Sequence, residues 1–170
     1  MKSYHHGNLK QELIDCASKM CERDGYTKLS IRSLAKESNV SQTAPYRHFK
    51  TKEDLYAEIA TEGFNKLHKT ISKNQSNDPE KNLTVGAKAY IQFGLNNANT
   101  YDLMFGTAVP DFTKYPSLFQ SANKTYLHIR TKFNEFSKIK DQKLIEEKCV
   151  YIWACLLYTY DAADEGLGVD

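Results

Sequence analysis

Within Val40-Ser-Gln-Thr-Ala-Pro-Tyr-Arg-His-Phe-Lys-Thr-Lys-Glu-Asp-Leu55, two helix starts follow one another closely. Ser41 is placed to cap a short helix running through Phe49, in which Pro45 is tolerable because it lies near the start. Thr51 is placed to cap a longer helix. Glu53 and Asp54 lie in its first turn, where carboxylates complement the positive end, and Leu55, Tyr56, Ile59, Phe64 and Leu67 form its apolar stripe. Just upstream, Ser30 predicts the N-cap of another short helix carrying Ile31, Leu34 and Ala35 and ending near Ser38-Asn39. Before that, Leu9, Leu13, Ile14, Ala17, Met20 and Cys21 recur at helical spacing, so residues 8–24 read as an amphipathic helix stopped at Gly25.

Downstream, the polar stretch from Lys73 to Glu80 marks one boundary, which divides the chain into parts 1–69 and 70–170. Beyond it, Leu83, Ala87, Tyr90, Ile91, Leu95 and Ala98 form a further helical stripe, followed by a short apolar segment from Tyr101 to Phe105. Pro110 to Pro116 reads as a loop. Helical patterns resume over about 117–138 and 142–160. No stretch alternates with period two between turn pairs, so the expected fold class is all-α.

The 170 residues are 41% apolar and 26% charged, a composition that excludes a disordered or fibrous chain. Net charge is only +2, but residues 1–69 hold 12 Lys and Arg against 9 Asp and Glu, and residues 70–170 hold 11 against 12. The start, MKSYHHGNLKQ, lacks the apolar core of a signal peptide, and the longest apolar run, Cys149 to Tyr160, is too short to span a bilayer. The expected setting is therefore soluble and cytoplasmic, with no membrane partner. Cys16, Cys21, Cys149 and Cys155 form no C-x-x-C pair and no zinc-finger spacing with histidine, and read as small buried residues with no metal. No G-x-S-x-G, G-x-x-x-x-G-K, G-x-G-x-x-G or H-E-x-x-H motif is present outside the tail, so no catalytic residue and no cofactor is expected. His5-His6 lacks a third ligand and reads as an arm near a nucleic-acid backbone, or as nothing.

Two short helices joined by a tight turn, after a longer helix, have the size and spacing of a helix-turn-helix unit. The second short helix of such a unit enters the major groove of DNA. The outward residues are Gln42, Thr43, Tyr46, Arg47 and His48. Gln and Arg present paired groups to base edges, and hydroxyl, imidazole and ammonium groups bind phosphates. The same face would equally serve as the solvated side of an ordinary helical domain, or of a helical small-molecule binder that does not read DNA.

The residues themselves carry more than the pattern. Tyr4-His-His-Gly-Asn-Leu9, Gly25-Tyr-x-x-Leu-Ser-Ile-Arg-x-Leu-Ala35 and the stretch from Val40 to Leu55 resemble the DNA-binding domain of TetR-family transcriptional regulators. The most specific feature is Tyr-x-His-Phe followed by x-x-Lys-Glu-x-Leu. The resemblance implies an N-terminal three-helix reading domain followed by a helical ligand-binding and dimerisation domain. It implies base contacts by Gln42, Thr43 and Arg47 and phosphate contacts by Tyr46, His48 and Lys52, with Ser30 and Ser41 contributing at helix starts. The implied partners are a double-stranded DNA operator, a small hydrophobic ligand and a second copy of the chain.

Residues 70–170 resemble the WHG-type regulatory domain at Asn99-Thr-Tyr-Asp-Leu-Met-Phe-Gly106 and Trp153, although Leu157 and Tyr158 stand in the His and Gly places of its Trp-x-x-x-His-Gly motif. Tyr90, Phe93, Met104, Phe105, Phe112, Tyr126 and Trp153 are candidates for a ligand pocket or, as ordinary aromatics at helical spacing, for plain core. The run Cys155-Leu-Leu-Tyr-Thr-Tyr-Asp-Ala-Ala-Asp-Glu165 resembles one translated frame of a transposon-end adapter used in DNA sequencing libraries. That resemblance implies that residues 155–170 are foreign to the natural chain; read as residues alone, they are an amphipathic helix end with an acidic tail.

Overall fold

The computed structural model describes the backbone of residues 9–73 and 76–164, and side chains as far as Cys155 with the exception of Trp153. The described residues form seven α-helices and no strand: α1 Leu9–Asp24, α2 Ile31–Glu37, α3 Lys52–Ile71, α4 Pro79–Asn96, α5 Ala98–Phe105, α6 Pro116–Ser137 and α7 Gln142–Asp164. Three short 3₁₀ turns interleave them, at Tyr26–Lys28, Pro45–Arg47 and Phe112–Lys114. The all-α reading holds, as do the helix starts inferred at Ser30 and Thr51.

The helix starts have visible causes. The Ser30 hydroxyl accepts from the Ser33 amide at 3.0 Å and the Ser33 hydroxyl accepts from the Ser30 amide at 2.9 Å, closing a reciprocal cap on α2. Asp78 accepts from the amides of Glu80 and Lys81 ahead of α4, with Pro79 at the first helical position, where no N–H is needed. Asp141 does the same for α7 through the Lys143 amide. After α1, Gly25 sits at φ +80°, where a side chain would be strained, and its amide closes back on Cys21 O.

One expected helix is absent. Residues 41–49 form a turn and a single 3₁₀ turn, not an α-helix. Ala44, Arg47 and His48 each bond to the carbonyl three residues back, and only Phe49 N to Pro45 O has α spacing. Pro45 supplies no N–H to Ser41 O and its ring crowds that carbonyl, so the segment winds tightly and is too short to recover α geometry.

The chain divides into two compact units, residues 1–63 with 98–119, and residues 64–97 with 120–170. This differs from a division at 69/70, a point that falls inside α3. The first unit buries Leu13, Ala17 and Cys21 of α1 with Leu34, Phe49, Leu55, Leu103 and Met104. It includes α5 because Glu22 of α1 caps that helix: its carboxylate accepts from the Thr100 amide at 3.1 Å and hydroxyl at 2.7 Å, and its carbonyl accepts from the Asn99 side chain at 2.8 Å. The second unit gathers Leu83 of α4, Tyr126 and Phe133 of α6, and Ile145, Cys149 and Ile152 of α7 around one apolar cluster. Of the four cysteines, Cys21 and Cys149 are buried, Cys16 is half-buried and Cys155 is exposed, so the expectation of four buried thiols fails at Cys155. Burial pushes the Cys21 thiol up to about 12, and it stays a protonated, inert group.

Two helix-interior glycines have opposite reasons to be glycine. A Cβ on Gly63 would lie 2.5 Å from Met104 Sδ and 3.1 Å from Thr100 Cγ2, so the bare backbone lets α5 approach α3. A Cβ on Gly86 would meet nothing within 4 Å. Gly86→Ala is expected to raise stability by about 0.4–1 kcal/mol, by gaining helix propensity without a clash. Gly63→Ala is expected to lower it by about 1–3 kcal/mol by displacing the buried Met104. Urea unfolding of the two variants, compared with wild type, checks both signs.

Candidate functional site

In the first unit, the segment from Ser30 to Lys52 presents a polar, cationic surface on an apolar footing. Pro45 and Phe49 are buried, and between and beside them Ser41, Gln42, Thr43, Tyr46, Arg47 and His48 are exposed. This is what a tight turn with two anchors does: the anchors point inward and the remaining side chains outward. Ser41 does not cap a helix here. Its hydroxyl shares a hydrogen bond with that of Thr43 at 3.3 Å.

The turn is held from behind by the start of α3. Asp54 Oδ2 accepts from the amides of both Lys50 and Thr51 at 2.9 Å, and the Thr51 hydroxyl accepts from the Asp54 amide at 3.1 Å. The Tyr115 hydroxyl donates to the other carboxylate oxygen at 3.4 Å. Partial burial pushes the Asp54 carboxyl up, but these donors outweigh it and hold the group below the usual carboxylate range. Tyr115, partly buried and beside Glu53 and Asp54, is pushed up to about 12 and stays a donor.

A second tie runs to the turn before α2. The Tyr56 hydroxyl donates to Tyr26 O at 2.6 Å, with the two rings edge to face at 5.4 Å. The Lys52 ammonium donates to Thr27 O at 3.1 Å and lies over the Tyr56 ring. An ammonium carries three N–H groups, so Lys52 keeps donors for an anion while bracing the turn.

Sequence reading missed the cations around this turn. Lys28, Arg32, Lys36 and Lys50 are exposed and, like Arg47 and Lys52, enter no ion pair among the described residues. The nearby acids are occupied elsewhere: Glu37 pairs with Arg23, Glu58 with Lys10, and Asp54 with the cap. Exposed cations four apart on α2 were legible as spacing, but their lack of partners was not. His5 and His6 lie outside the described residues, as do the side chains of residues 156–164 and all of residues 165–170, on which the adapter resemblance bears.

The aromatic pocket candidates do not gather in one place. Met104, Phe105 and Phe112 belong to the first unit, where Met104 is buried against Gly63 and the Phe105 ring lies tilted against that of Tyr101 with centroids 4.6 Å apart. Tyr126 packs on the Phe133–Ile145–Cys149 cluster, Phe93 is buried beside an open groove, and the Trp153 side chain is outside those described. Among the described side chains, only Tyr90 of the set lines the partly open apolar cavity of the second unit, of about 50 Å³. Ile71, Leu83, Gly86, His128 and Lys132 also line it. The His128 and His68 rings meet edge to face at 5.3 Å. Burial first, and then Lys132 for His128 and Lys124 for His68, hold both imidazoles below their ordinary range. Neither sequence periodicity nor residue type marked His128 and Lys132 as cavity residues.

Residues 13–59 match the family model for bacterial regulatory proteins of the tetR family. The uncharacterized HTH-type transcriptional regulator YobS of Bacillus subtilis is 24% identical over 97 residues, 56% of this chain and 51% of that protein. The chain spans about half the length, or less, of the curated relatives it matches. Among solved structures, a protein from Rhodococcus sp. RHA1 superposes with a TM-score of 0.78 at 23% identity, over 100% of this chain and 91% of that one. The TetR-family regulator PfmR of Thermus thermophilus superposes with a TM-score of 0.66 at 18% identity, over 88% and 84%. At these identities the structural likeness is one of fold.

Because Asp54 is the shared acceptor of the turn, Asp54→Ala leaves two amides without a partner and is expected to lower stability by about 1–2 kcal/mol. Thermal unfolding checks the loss, and Tyr115→Phe, which removes only the longer bond, is expected to cost less.

Proposed function

We propose that this chain, a member of the tetR family of bacterial regulatory proteins through residues 13–59, is a ligand-responsive transcriptional repressor and not an enzyme. It acts in the cytoplasm on a near-palindromic double-stranded operator as a symmetric dimer. The observation that carries this reading is the set of six cations between Lys28 and Lys52 with no ion pair among the described residues. In sequence they flank and include an exposed polar turn whose footing is buried. Cations left without carboxylate partners are what a polyanion requires, because each phosphate contact releases counterions from DNA. In this reading Gln42, Thr43 and Arg47 contact base edges, and Ser30, Ser41, Tyr46, His48 and Lys52 contact phosphates and set register.

Dimerisation is supported by the uncovered apolar side chains of the last two helices, Leu127 and Phe136 of α6 and Leu144, Val150 and Tyr151 of α7. Two copies related by a two-fold axis would set two reading turns about 34–36 Å apart, one turn of DNA. The cavity beside Tyr90, His128 and Lys132 is the effector site in this reading. A ligand acts there by binding one subunit arrangement better than the other, since equal affinity for both would shift nothing.

Against an operator selected from random DNA, affinity is expected to fall steeply with salt. Arg47→Ala is expected to cost about 1–3 kcal/mol and relax preference at particular base pairs, whereas Lys52→Ala weakens binding to all sequences and lowers the salt slope by about one. A filter-binding titration showing no DNA affinity at low salt, or wild-type affinity in both variants, would overturn the reading.

A further inference from the structure

The carboxylate that caps the exposed turn is itself held from far along the chain. Asp54 Oδ2 takes the Lys50 and Thr51 amides, and Oδ1 accepts from the hydroxyl of Tyr115, 61 positions away. The last torsion of an aspartate is soft, so a carboxylate gripped at one oxygen can swing about that grip, whereas one gripped at both is fixed. At 3.4 Å the Tyr115 bond contributes little by itself. Its effect lies in the angle at which Oδ2 meets the two amides.

The backbone of Tyr115 is set on both sides. Its amide donates to Phe112 O at 3.0 Å, closing the 3₁₀ turn, and its carbonyl accepts from the Phe119 amide at 2.9 Å, at the start of α6. Asp111 accepts from the Thr113 amide at 3.0 Å where that turn begins. Val109 before it and Leu118 after it are buried, so the segment that delivers the hydroxyl is pinned at two points. Leu118 and Tyr115 line one crevice of the first unit together with Phe49 and Asp54, and the exposed turn residue His48 borders the same crevice. The anchor of the turn and the anchor of the segment are thus packed into one place. Partial burial, and then Glu53 and Asp54, push the Tyr115 phenol up to about 12, so at neutral pH it offers these carboxylates a proton.

We propose that Tyr115 is a positioning residue for DNA reading: its hydroxyl fixes the Asp54 carboxylate, and through it the turn that carries Gln42, Thr43 and Arg47. The proposal rests on the reading of that turn as the DNA-contacting element, and adds a residue that acts through Asp54 and not on the DNA. Phosphate attraction follows charge and survives a small shift of the turn, whereas paired hydrogen bonds to base edges do not. The contribution of Tyr115 is therefore to specific binding. Because its carbonyl also takes a bond at the start of α6, displacing that helix start withdraws the hydroxyl from Asp54.

The test measures binding of the full chain, over a salt series, to an operator selected from random DNA and to a shuffled duplex of the same length and composition. Tyr115→Phe removes one hydroxyl and no charge. It is expected to weaken operator binding at least about threefold, while binding to the shuffled duplex and the salt slope stay as in wild type. Amide hydrogen exchange at Lys50 and Thr51 is expected to quicken, with that of the α1 amides unchanged. In an Asp54→Asn background, where a single carbonyl oxygen replaces the two-point grip, adding Tyr115→Phe is expected to change operator affinity by less than about twofold. Tyr115→Leu repeats the measurement should the first variant fold poorly. Wild-type operator affinity in the Tyr115 variants, equal losses on the two duplexes, or a full further loss in the Asp54→Asn background would overturn the proposal and leave the DNA reading standing. If the wild-type chain binds neither duplex at low salt, the DNA reading falls and this proposal falls with it.

Discussion

The exposed polar turn before α3 depends on one carboxylate. Phe49 is anchored in the core, and three residues later α3 begins, so the chain has to turn from a 3₁₀ segment into a long helix with almost no slack. The amides of Lys50 and Thr51 point out of that corner, and without an acceptor each would cost more than a typical hydrogen bond is worth. Asp54 takes both, and Thr51 returns the bond to the Asp54 amide. Held this way, the turn needs no helix of its own to present Gln42, Thr43 and Arg47 in one arrangement. The ties from Tyr56 to Tyr26 and from Lys52 to Thr27 brace the same corner from the side of α2.

The same economy explains why α5 joins this unit although it lies far along the chain. A helix start leaves amides without partners. Glu22, in the last turn of α1, satisfies the start of α5 with a single carboxylate oxygen that accepts from both the Thr100 amide and hydroxyl. Gly63 then removes the one side chain that would stand in the way. A carboxylate and an absent methyl group place α5 together, and neither reads as a signal in the sequence, because an isolated Glu on an exposed helix turn is the commonest of surface residues.

What was legible in the sequence is what local chemistry determines. Ser30, Thr51 and Gly25 announced helix ends because capping and positive φ need those residue types within a few positions, with no help from the rest of the fold. Pro45 was legible too, but its consequence depends on length: in a long helix a proline near the start costs little, whereas in a segment this short the lost bond leaves only a 3₁₀ turn. The outward polar residues did not depend on the distinction, since a tight turn and a short helix between the same two anchors expose the same side chains. The aromatic residues offered as a pocket were a different matter. Periodicity shows that Met104 and Tyr126 face inward, but not into which unit, and a cavity is a property of what fails to fill a space. Gly86 and the aliphatic part of Lys132, which help define it, look unremarkable in the sequence.

The last helix raises a question of balance. Ile145, Cys149 and Ile152 of α7 pack into the second unit's core, yet Leu144, Val150 and Tyr151 of the same helix are exposed. A helix with apolar residues on more than one side is unfavourable in water unless a second surface covers it. The α6 residues Leu127 and Phe136 are left uncovered in the same unit. The two helices thus share a shortage of partners that a second copy of the chain would relieve for both at once, because a two-fold contact returns to each copy the same surface it offers. Every one of these side chains precedes Cys155, so the apolar demand for a partner exists in the chain before the stretch that resembles an adapter begins. Residues beyond Cys155 can strengthen or weaken such a contact, but they are not needed to create the reason for it.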